Sequence, residues 1–223
     1  MRYIALVMLL YTSPVIAAQV GDKATWNGSE WVADQKIDAG IDVIASYDYY
    51  LVPKTSGKHN YEDGQGLTLG VEHSIAGNLK GQLTYSRILD IDFPFPLDDK
   101  GSWGELRGHI PMYALKYDLP YGNKFGLYLL AGVGYGLWDF RENPYLQDRN
   151  VKVELDGSIV VKLGIGASVS LGQDWKLDLE SGWLDTDIPK DISDNDYGIE
   201  HILDSGDIGL QMVPIKVGVR KRF

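Results

Sequence analysis

The sequence predicts an all-β protein, an eight-stranded antiparallel transmembrane β-barrel, and three observations support this prediction. One segment, residues 151–171, alternates apolar and polar residues over many more positions than a strand of a soluble protein usually has. Seven further segments repeat the same two-residue period. The connections between these eight segments are alternately short and long, which is typical of barrels in bacterial outer membranes.

The segment of residues 151–171 is the clearest of the eight. Every odd position, from Val151 to Leu171, holds an apolar residue or glycine. Every even position except Val160 is charged, carries a hydroxyl group or is glycine. Such a period gives a strand one apolar and one polar face. At about 3.3 Å per residue, the segment is longer than the roughly 25 Å apolar band of an outer-membrane barrel, even when it is tilted.

The other predicted strands share this alternation and comprise residues 37–50, 66–76, 78–89, 107–119, 125–139, 174–185 and 208–223. The short connections lie around Gly77, at residues 120–124 and at Gly172-Gln173. The long connections are residues 51–65, 90–104, 140–150 and 186–207. Short turns belong to the periplasmic side of outer-membrane barrels, so both ends of the barrel segment are predicted to lie there.

The N-terminal residues 1–18 are predicted to be a secretory signal peptide. Arg2 supplies the positive charge, residues 4–11 the apolar core and residues 15–18 the small-residue exit, so that cleavage after Ala17 and cleavage after Ala18 both fit. Residues 19–36 have no sustained period and are predicted to be a periplasmic lead-in to a barrel of residues 37–223. No later run reaches the roughly 18 apolar residues that a membrane-spanning helix needs.

Composition argues against several classes of function. The chain has no cysteine, so it can form neither a disulfide nor a thiolate nucleophile. Its formal net charge of −10 argues against nucleic acid as a partner. The apolar content of 44% is high enough for a folded chain.

The direction of the apolar face separates a soluble barrel from a membrane barrel. A soluble barrel encloses its apolar face, whereas an outer-membrane barrel turns that face to lipid. Small residues such as Gly132 and Gly166 lie on the even face and suit the crowded interior of a narrow barrel. The even face also carries charges of both signs, at Asp38, Asp42, Glu72, Lys80, Lys116, Asp118, Lys152, Glu154, Asp156, Lys162, Lys176, Asp178, Glu180, Lys216 and Arg220. The sequence therefore predicts ion pairs inside the barrel and apolar side chains on its outer surface.

Closure of such a barrel requires the first and last strands to pair. The even face of the first strand offers Asp38, Asp42 and Asp48, and that of the last strand offers Lys216, Arg220 and Arg222. An antiparallel seam is expected to place Asp38 near Arg222 and Asp42 near Arg220.

Aromatic residues at the strand ends predict two membrane-interface belts: Phe125, Tyr117, Trp175 and Phe223 near the short turns, and Tyr47, Tyr49, Tyr135 and Trp183 near the long loops.

No residue is predicted to be catalytic, to bind a cofactor or to bind a metal. His73 and Ser74 are neighbours on one strand, so their side chains point to opposite faces and cannot form a base–nucleophile pair. The four histidines show no zinc-site spacing. The predicted acidic loop of residues 187–207 holds seven carboxylates; a solvated loop, a Ca²⁺ or Mg²⁺ site and a cation bridge to lipopolysaccharide phosphates remain open for it.

Three parts of the chain resemble the OmpW-type small outer-membrane barrels, within the wider OmpA/OmpX-like class. Residues 109–117 and 127–135 look like the family's proline-led strand and its glycine-rich partner, and residues 164–179 are similar to its next hairpin. Residues 213–223 resemble its closing strand, in which a terminal phenylalanine is read by the barrel-assembly machinery; Lys221 stands where an apolar or aromatic residue is usual. The resemblance implies a narrow barrel, and a lateral exit for small hydrophobic molecules has been proposed for some members.

The predicted function is that of a non-enzymatic barrel in the bacterial outer membrane, structural or passing small solutes, including hydrophobic ones. The heavily charged even face favours a plugged barrel. The alternatives are a surface adhesin or receptor that acts through its long loops and, less favoured, an outer-membrane lipid-modifying enzyme. The predicted partners are outer-membrane lipids, lipopolysaccharide and the barrel-assembly machinery. The sequence leaves the ligand, the conductance and the oligomeric state open.

Overall fold

A computed structural model describes residues 24–26, 31–33, 40–53, 63–94, 102–119, 124–148, 151–196 and 199–223. The predicted signal peptide and Asp38 therefore lie outside the described residues. The chain divides into two units, Met1–Asp38 and Ala39–Phe223. In the first unit, β1 (Ala24–Trp26) and β2 (Trp31–Ala33) pair antiparallel, with Trp26 opposite Trp31.

The second unit is built from nine strands and one short helix. These elements are β3 (Ile41–Leu51), β4 (Gly64–Ala76), β5 (Leu79–Pro94), β6 (Ser102–Leu119), β7 (Phe125–Glu142), α1 (Pro144–Asp148), β8 (Val151–Leu155), β9 (Ser158–Ser170), β10 (Trp175–Asp196) and β11 (Ile199–Arg222). Antiparallel pairs run in the order β11-β3-β4-β5-β6-β7-β9-β10, and β10 pairs back onto β11. The sheet thus closes into a ring of eight strands, which confirms the predicted fold class.

The prediction of one continuous strand over residues 151–171 is wrong, because the segment is divided at Asp156-Gly157 into β8 and β9. The Tyr135 side chain covers Gly157 so closely that a Cβ atom there would collide with its ring. The break also reverses the facing of the chain: Leu155 packs against the apolar residues inside the barrel, whereas Ile159 is exposed on the outer surface. β8 pairs with β10 nearer the long loops than β9 does, so it continues the barrel wall in that direction.

The predicted loop of residues 186–207 is also wrong. β10 and β11 stay paired from Asp187 opposite Gly209 up to Asp196 opposite Ile199. Inward apolar side chains at Ile188, Ile192, Ile208 and Leu210 maintain the strand period there, and the aspartates occupy positions between them. In the same way, β5 and β6 reach far into the predicted connection of residues 90–104.

The two faces of the barrel have the predicted polarity. Leu69, Leu163 and Ile159 are among many apolar side chains exposed on the outer surface, whereas Glu72, Lys116 and Arg220 are buried inside. The aromatic residues predicted for the two belts are exposed on the outer surface: Phe125, Tyr117, Trp175, Phe223, Tyr47, Tyr49, Tyr135 and Trp183. In the described part of the chain, no helix combines the length and the apolar character needed to cross a membrane.

Candidate functional site: the barrel interior

The half of the interior nearest the short turns is filled by ion pairs around Arg220. Its Nη1 donates to Glu72 Oε1 at 2.6 Å, and its Nε and Nη2 donate to Asp178 Oδ2 at 3.0 and 2.8 Å. Asp42 Oδ2 lies 4.0 Å from the same Nη1. These residues come from β11, β4, β10 and β3, so the guanidinium group connects strands on both sides of the barrel seam.

Glu72 is the carboxylate that joins most of these groups. Besides Arg220, it accepts from Gln82 Nε2 at 2.6 Å and pairs with the Nζ atoms of Lys116 at 3.1 Å and Lys80 at 3.0 Å. Lys80 also pairs with Asp118 at 2.8 Å. Side chains from three neighbouring strands, β4, β5 and β6, therefore meet at one carboxylate.

A second group of polar side chains lies farther from the short turns. Lys216 Nζ donates to Asp48 Oδ2 and to Thr68 Oγ1, both at 2.9 Å. Lys162 pairs with Glu180, which also accepts from the Tyr128 hydroxyl at 3.2 Å. Together with the Arg220 group, these contacts confirm the predicted ion pairs inside the barrel.

The predicted closing seam is partly confirmed. The ion pair between Asp42 and Arg220 is present, and Asp48 lies directly opposite Lys216 in the β3–β11 register. The register places Asp42 opposite Arg222, and the contact expected between Arg222 and Asp38 stays a prediction, because Asp38 lies outside the described residues. The sequence shows which charges face inward, but it does not define the stagger between two strands that are so far apart in the chain.

The half of the interior nearest the long loops is apolar, which was not predicted. Its buried residues form one cluster, consisting of Tyr50, Val52, Ile88, Ile91, Leu106, Ile110, Met112, Trp138, Val160, Leu184, Ile188, Ile208, Leu210 and Met212. Val160, the one apolar exception on the even face of residues 151–171, is a member and is completely buried. That exception was a signal for the apolar half, but many other members lie where loops or strand ends were predicted.

A shift in the strand pairing extends the apolar half along β5. The partners of β6 change from Ile88 opposite Gly108 to Ile91 opposite Leu106, which is a bulge. The extra residue brings both Ile88 and Ile91 to the inside, although their numbers differ in parity. Trp138 is held in the same half by its indole N–H, which donates to Ser158 Oγ at 2.7 Å.

A cavity of about 40 Å³ lies between the two halves of the interior. Lys162, Glu180 and Lys216 line it together with apolar side chains such as Ile110 and Met112. The cavity is large enough for one water molecule or a small part of a solute. The apolar half of the interior thus ends at a layer of charged side chains on the side of the short turns.

The strand pairing of the barrel wall is interrupted beside the apolar half, although the two strands keep their register. In the β6–β7 pairing, His109 is opposite Leu137 and Met112 is opposite Gly134, but neither Ile110 nor Pro111 has a partner. Proline has no N–H group and cannot donate to the neighbouring strand. On its other side, β7 stays paired with β9 only up to Gly136 opposite Ser158. At the level of Tyr135 and Gly136, β7 therefore lacks pairs with β6 but keeps them with β9, and its pairing with β9 ends just beyond that level.

A second proline causes a similar gap in the β10–β11 pairing. Ser181 lies opposite Ile215 and Leu184 opposite Met212, while Pro214 has a partner only on β3, where it faces Tyr50. Pro214 is buried and Pro111 is exposed on the outer surface, so the two gaps have different surroundings.

Two of the histidines that the sequence brought into question lie beside tyrosine rings. His73 is exposed on the outer face with its ring centroid 6.4 Å from that of Tyr113, whereas Ser74 takes the opposite facing. His109 Nδ1 lies 2.5 Å from the Tyr85 hydroxyl. His59 and the side chain of His201 are outside the described part of the chain, within which no group of three or more metal-binding side chains occurs.

Comparison with solved structures identifies the same fold in outer-membrane proteins. The outer membrane protein OprG from Pseudomonas aeruginosa superposes with a TM-score of 0.61 at 16% identity, over 83% of this chain and 96% of that chain. Neisserial surface protein A has a TM-score of 0.52 at 13% identity, over 82% and 96% of the two chains. The E. coli outer membrane protein W has a TM-score of 0.50 at 16% identity, over 83% and 98%.

No protein-family model matches the sequence, and no curated protein matches it. The structural likeness confirms the resemblance to OmpW-type barrels at the level of the fold. The chain is therefore a small β-barrel of the outer-membrane type.

Proposed function

We propose that this protein is a non-enzymatic, integral outer-membrane barrel that passes small apolar solutes from the outside sideways into the membrane. The observation that carries the proposal is the division of the interior. The apolar half adjoins the interrupted wall at Pro111, and the ionic half closes the direct path to the periplasm. Short turns and chain ends on one side orient the ionic half toward the periplasm.

The ionic half is a poor path for an apolar solute. Passage would require the separation of Glu72 from Arg220 and Lys116, all of which are almost completely buried. Separating buried ion pairs without new partners costs several kcal/mol. An apolar solute has no group that could replace these contacts, so it would remain in the apolar half.

The interrupted wall supplies the second part of the proposal. Beside the gap at Pro111, the inward residues Ile110, Met112 and Trp138 are apolar, and the outward neighbours Tyr113 and Val133 belong to the exposed outer surface. A solute that crosses here would meet apolar side chains on both sides of the wall. Fewer ladder hydrogen bonds would have to open here than between fully paired strands, since Ile110 and Pro111 have no partner on β7.

Uptake of the apolar dye N-phenylnaphthylamine, which becomes fluorescent in lipid, tests this route. Cells that express the protein are expected to take up the dye faster than cells that lack it. Pro111→Val restores an N–H group in a residue type that suits strands, so it should close the gap and lower the rate toward that of cells without the protein.

Pro214→Val is the matched control, because it makes the same chemical change at the other gap. Its dye uptake should remain that of the natural protein, and the heat-dependent gel shift of folded barrels should be retained in both variants. Equal uptake with and without the protein would disprove transport of apolar solutes. A loss of uptake in the Pro214 variant alone would place the exit at the other gap.

The length of β10 and β11 supports a second candidate, a surface interaction protein. These strands have 22 and 24 residues, about twice the roughly 9–11 residues that cross a membrane. Their hairpin therefore projects beyond the bilayer on the long-loop side. Deletion of residues 193–204 should abolish adhesion of expressing cells to host surfaces if the hairpin is an adhesin, and should leave both adhesion and dye uptake unchanged if it is not.

A further inference from the structure

The outer surface carries an arginine patch beyond one of the aromatic belts. The patch consists of Arg87 on β5, Arg107 and His109 on β6, and Arg141 on β7, all on the outward-facing side of three neighbouring strands. Only two other arginines occur in the described part of the chain, Arg220 and Arg222, and both occupy the inward register of β11. The described arginines of the outer surface are thus collected in one place.

The patch lies at the height expected for lipid headgroups. Arg87 follows the exposed Tyr85 by two residues on β5, a distance of about 7 Å toward the long loops. His109 is directly opposite Arg87, and its Nδ1 is 2.5 Å from the Tyr85 hydroxyl. Tyrosines are typical of the membrane interface, so the cations just beyond them face the phosphate layer of the outer leaflet.

Much of the hydrogen-bonding capacity of the patch is unused within the protein. Arg87 has no ion pair or side-chain hydrogen bond with the described residues. Arg107 donates through Nη2 to Glu105 Oε2 at 2.7 Å, but its Nε is buried and has no partner in the described structure. Arg141 Nη1 lies 3.8 Å from the same Glu105 oxygen, so two guanidinium groups share one carboxylate.

Acidic residues limit the net charge of this surface. Asp90, Asp92 and Asp139 share it with Glu105, so four carboxylates lie among the three guanidinium groups. Net charge therefore does not attract phosphate to this surface. The distinctive feature is instead the set of guanidinium forks, which match the geometry of phosphate oxygens and bind them in a bidentate manner.

The opposite side of the barrel differs in charge. On β10 and β11, the exposed positions at the same end include four aspartates, Asp185, Asp187, Asp191 and Asp207, and the described arginines of β11 lie at its other end in the inward register. The described residues of that surface therefore offer headgroup phosphates carboxylates and no guanidinium group. The patch is thus a specific site on the barrel surface and not a uniform ring.

We infer that the arginine patch binds the phosphate groups of the phosphorylated glycolipid of the outer leaflet, the lipid A part of lipopolysaccharide. Arg87 and the partly exposed side chain of Arg107 would supply the main contacts, with Arg141 and His109 at the edges. The inference rests on the proposed placement in the outer membrane. It is independent of solute passage, because the patch lies on the outer surface and does not line the interior.

The test uses the folded full-length barrel in phosphatidylcholine nanodiscs that contain either diphosphorylated lipid A or phosphatidylglycerol. The midpoint of heat unfolding is read from the gel shift between folded and unfolded forms. Lipid A should raise the midpoint of the natural protein, whereas phosphatidylglycerol and inorganic phosphate should not. Arg87→Gln combined with Arg107→Gln should remove most of the rise, corresponding to lipid A binding that is about tenfold weaker or more.

Lys124→Gln combined with Lys221→Gln is the matched control, because it removes two cations near the short-turn end of the barrel. This control should keep the full rise. If the glutamine double variant does not fold, Arg87→Lys with Arg107→Lys replaces it and should lose part of the rise, since lysine keeps the charge but not the fork. A full rise in the folded patch variants, or an equal rise with phosphatidylglycerol, would overturn the inference.

Discussion

The two halves of the barrel interior are built on opposite principles. Near the short turns, Glu72, Arg220 and Lys116 form a buried network in which each charge depends on its partners. Near the long loops, Leu106, Ile188 and their neighbours form an apolar cluster of the kind found inside soluble proteins. The comparison shows that strands with one and the same alternation can give the two halves of an interior different chemistry. The difference depends only on whether charged or apolar residues occupy the inward positions.

The two halves should respond differently to the loss of one side chain. Removing a partner from the ionic half leaves other charges buried and unpaired, whereas truncation in the apolar half leaves a void. Four substitutions, in order of decreasing expected effect, test this difference.

Glu72→Gln should have the largest effect. It leaves Arg220, Lys116 and Lys80 without their common carboxylate, and the expected loss in the free energy of unfolding is about 3–5 kcal/mol. Urea unfolding of the barrel in lipid vesicles measures this loss. Asp118→Asn is the control, because Asp118 is partly exposed and its pairs should contribute less than about 1 kcal/mol. Similar losses for both variants would contradict a network centred on Glu72.

Leu106→Ala should destabilise the apolar half by about 2–5 kcal/mol, through lost burial and a cavity that the neighbours fill only in part. The same unfolding experiment applies. Leu69→Ala, on the exposed outer surface, is the control and should cost clearly less, because its side chain is not enclosed by protein. The added space should also speed dye uptake if the apolar half is the route, and unchanged uptake would argue against that route.

Lys216→Asp should destabilise the barrel by about 2–3 kcal/mol, because it brings two acids together across the closing seam. Adding Asp48→Lys to this variant reverses the pair and should recover part of the loss. A double-mutant cycle on the unfolding free energies separates the pair from its surroundings. If the second change brings no recovery, the pair is not a main contributor to closure.

Trp138→Phe should have the smallest effect, about 1 kcal/mol, since it removes one hydrogen bond to Ser158 and keeps most of the apolar surface. The unfolding free energy again measures it. Ser158→Ala removes the other partner of the same bond, and Ser158 is also bonded to Thr186, so this variant should cost at least as much. A Trp138 variant that is as damaging as Leu106→Ala would mean that the indole has a larger packing role.

The ionic half was largely predictable from the sequence. The inward positions of the predicted strands hold charges of both signs, and alternation alone brings Glu72, Lys116, Asp178 and Arg220 to the same side of the wall. Which acid meets which base was not predictable, because the pairs join residues as far apart as Glu72 and Arg220. Their distance depends on strand stagger, which is a property of the closed barrel.

The apolar half was less predictable for two physical reasons. Asp187 and Asp191, on either side of Ile188, made that part of the chain look like a loop, although they occupy exposed outward positions of β10 while Ile188 and Ile192 face inward. The bulge after Ile88 also changes which residue numbers face inward, and no simple period anticipates such an inserted residue.

By itself, the sequence determined the fold class, the number of strands in the closed ring and the polarity of the two faces, because these follow from a local two-residue period and from the lengths of the connections. Only the tertiary structure decided the ion-pair partners, the extent of the apolar half, the gaps at Pro111 and Pro214, and the gathering of Arg87, Arg107 and Arg141. These features depend on register, bulges and ring closure, which bring distant residues together and are not encoded in any single segment.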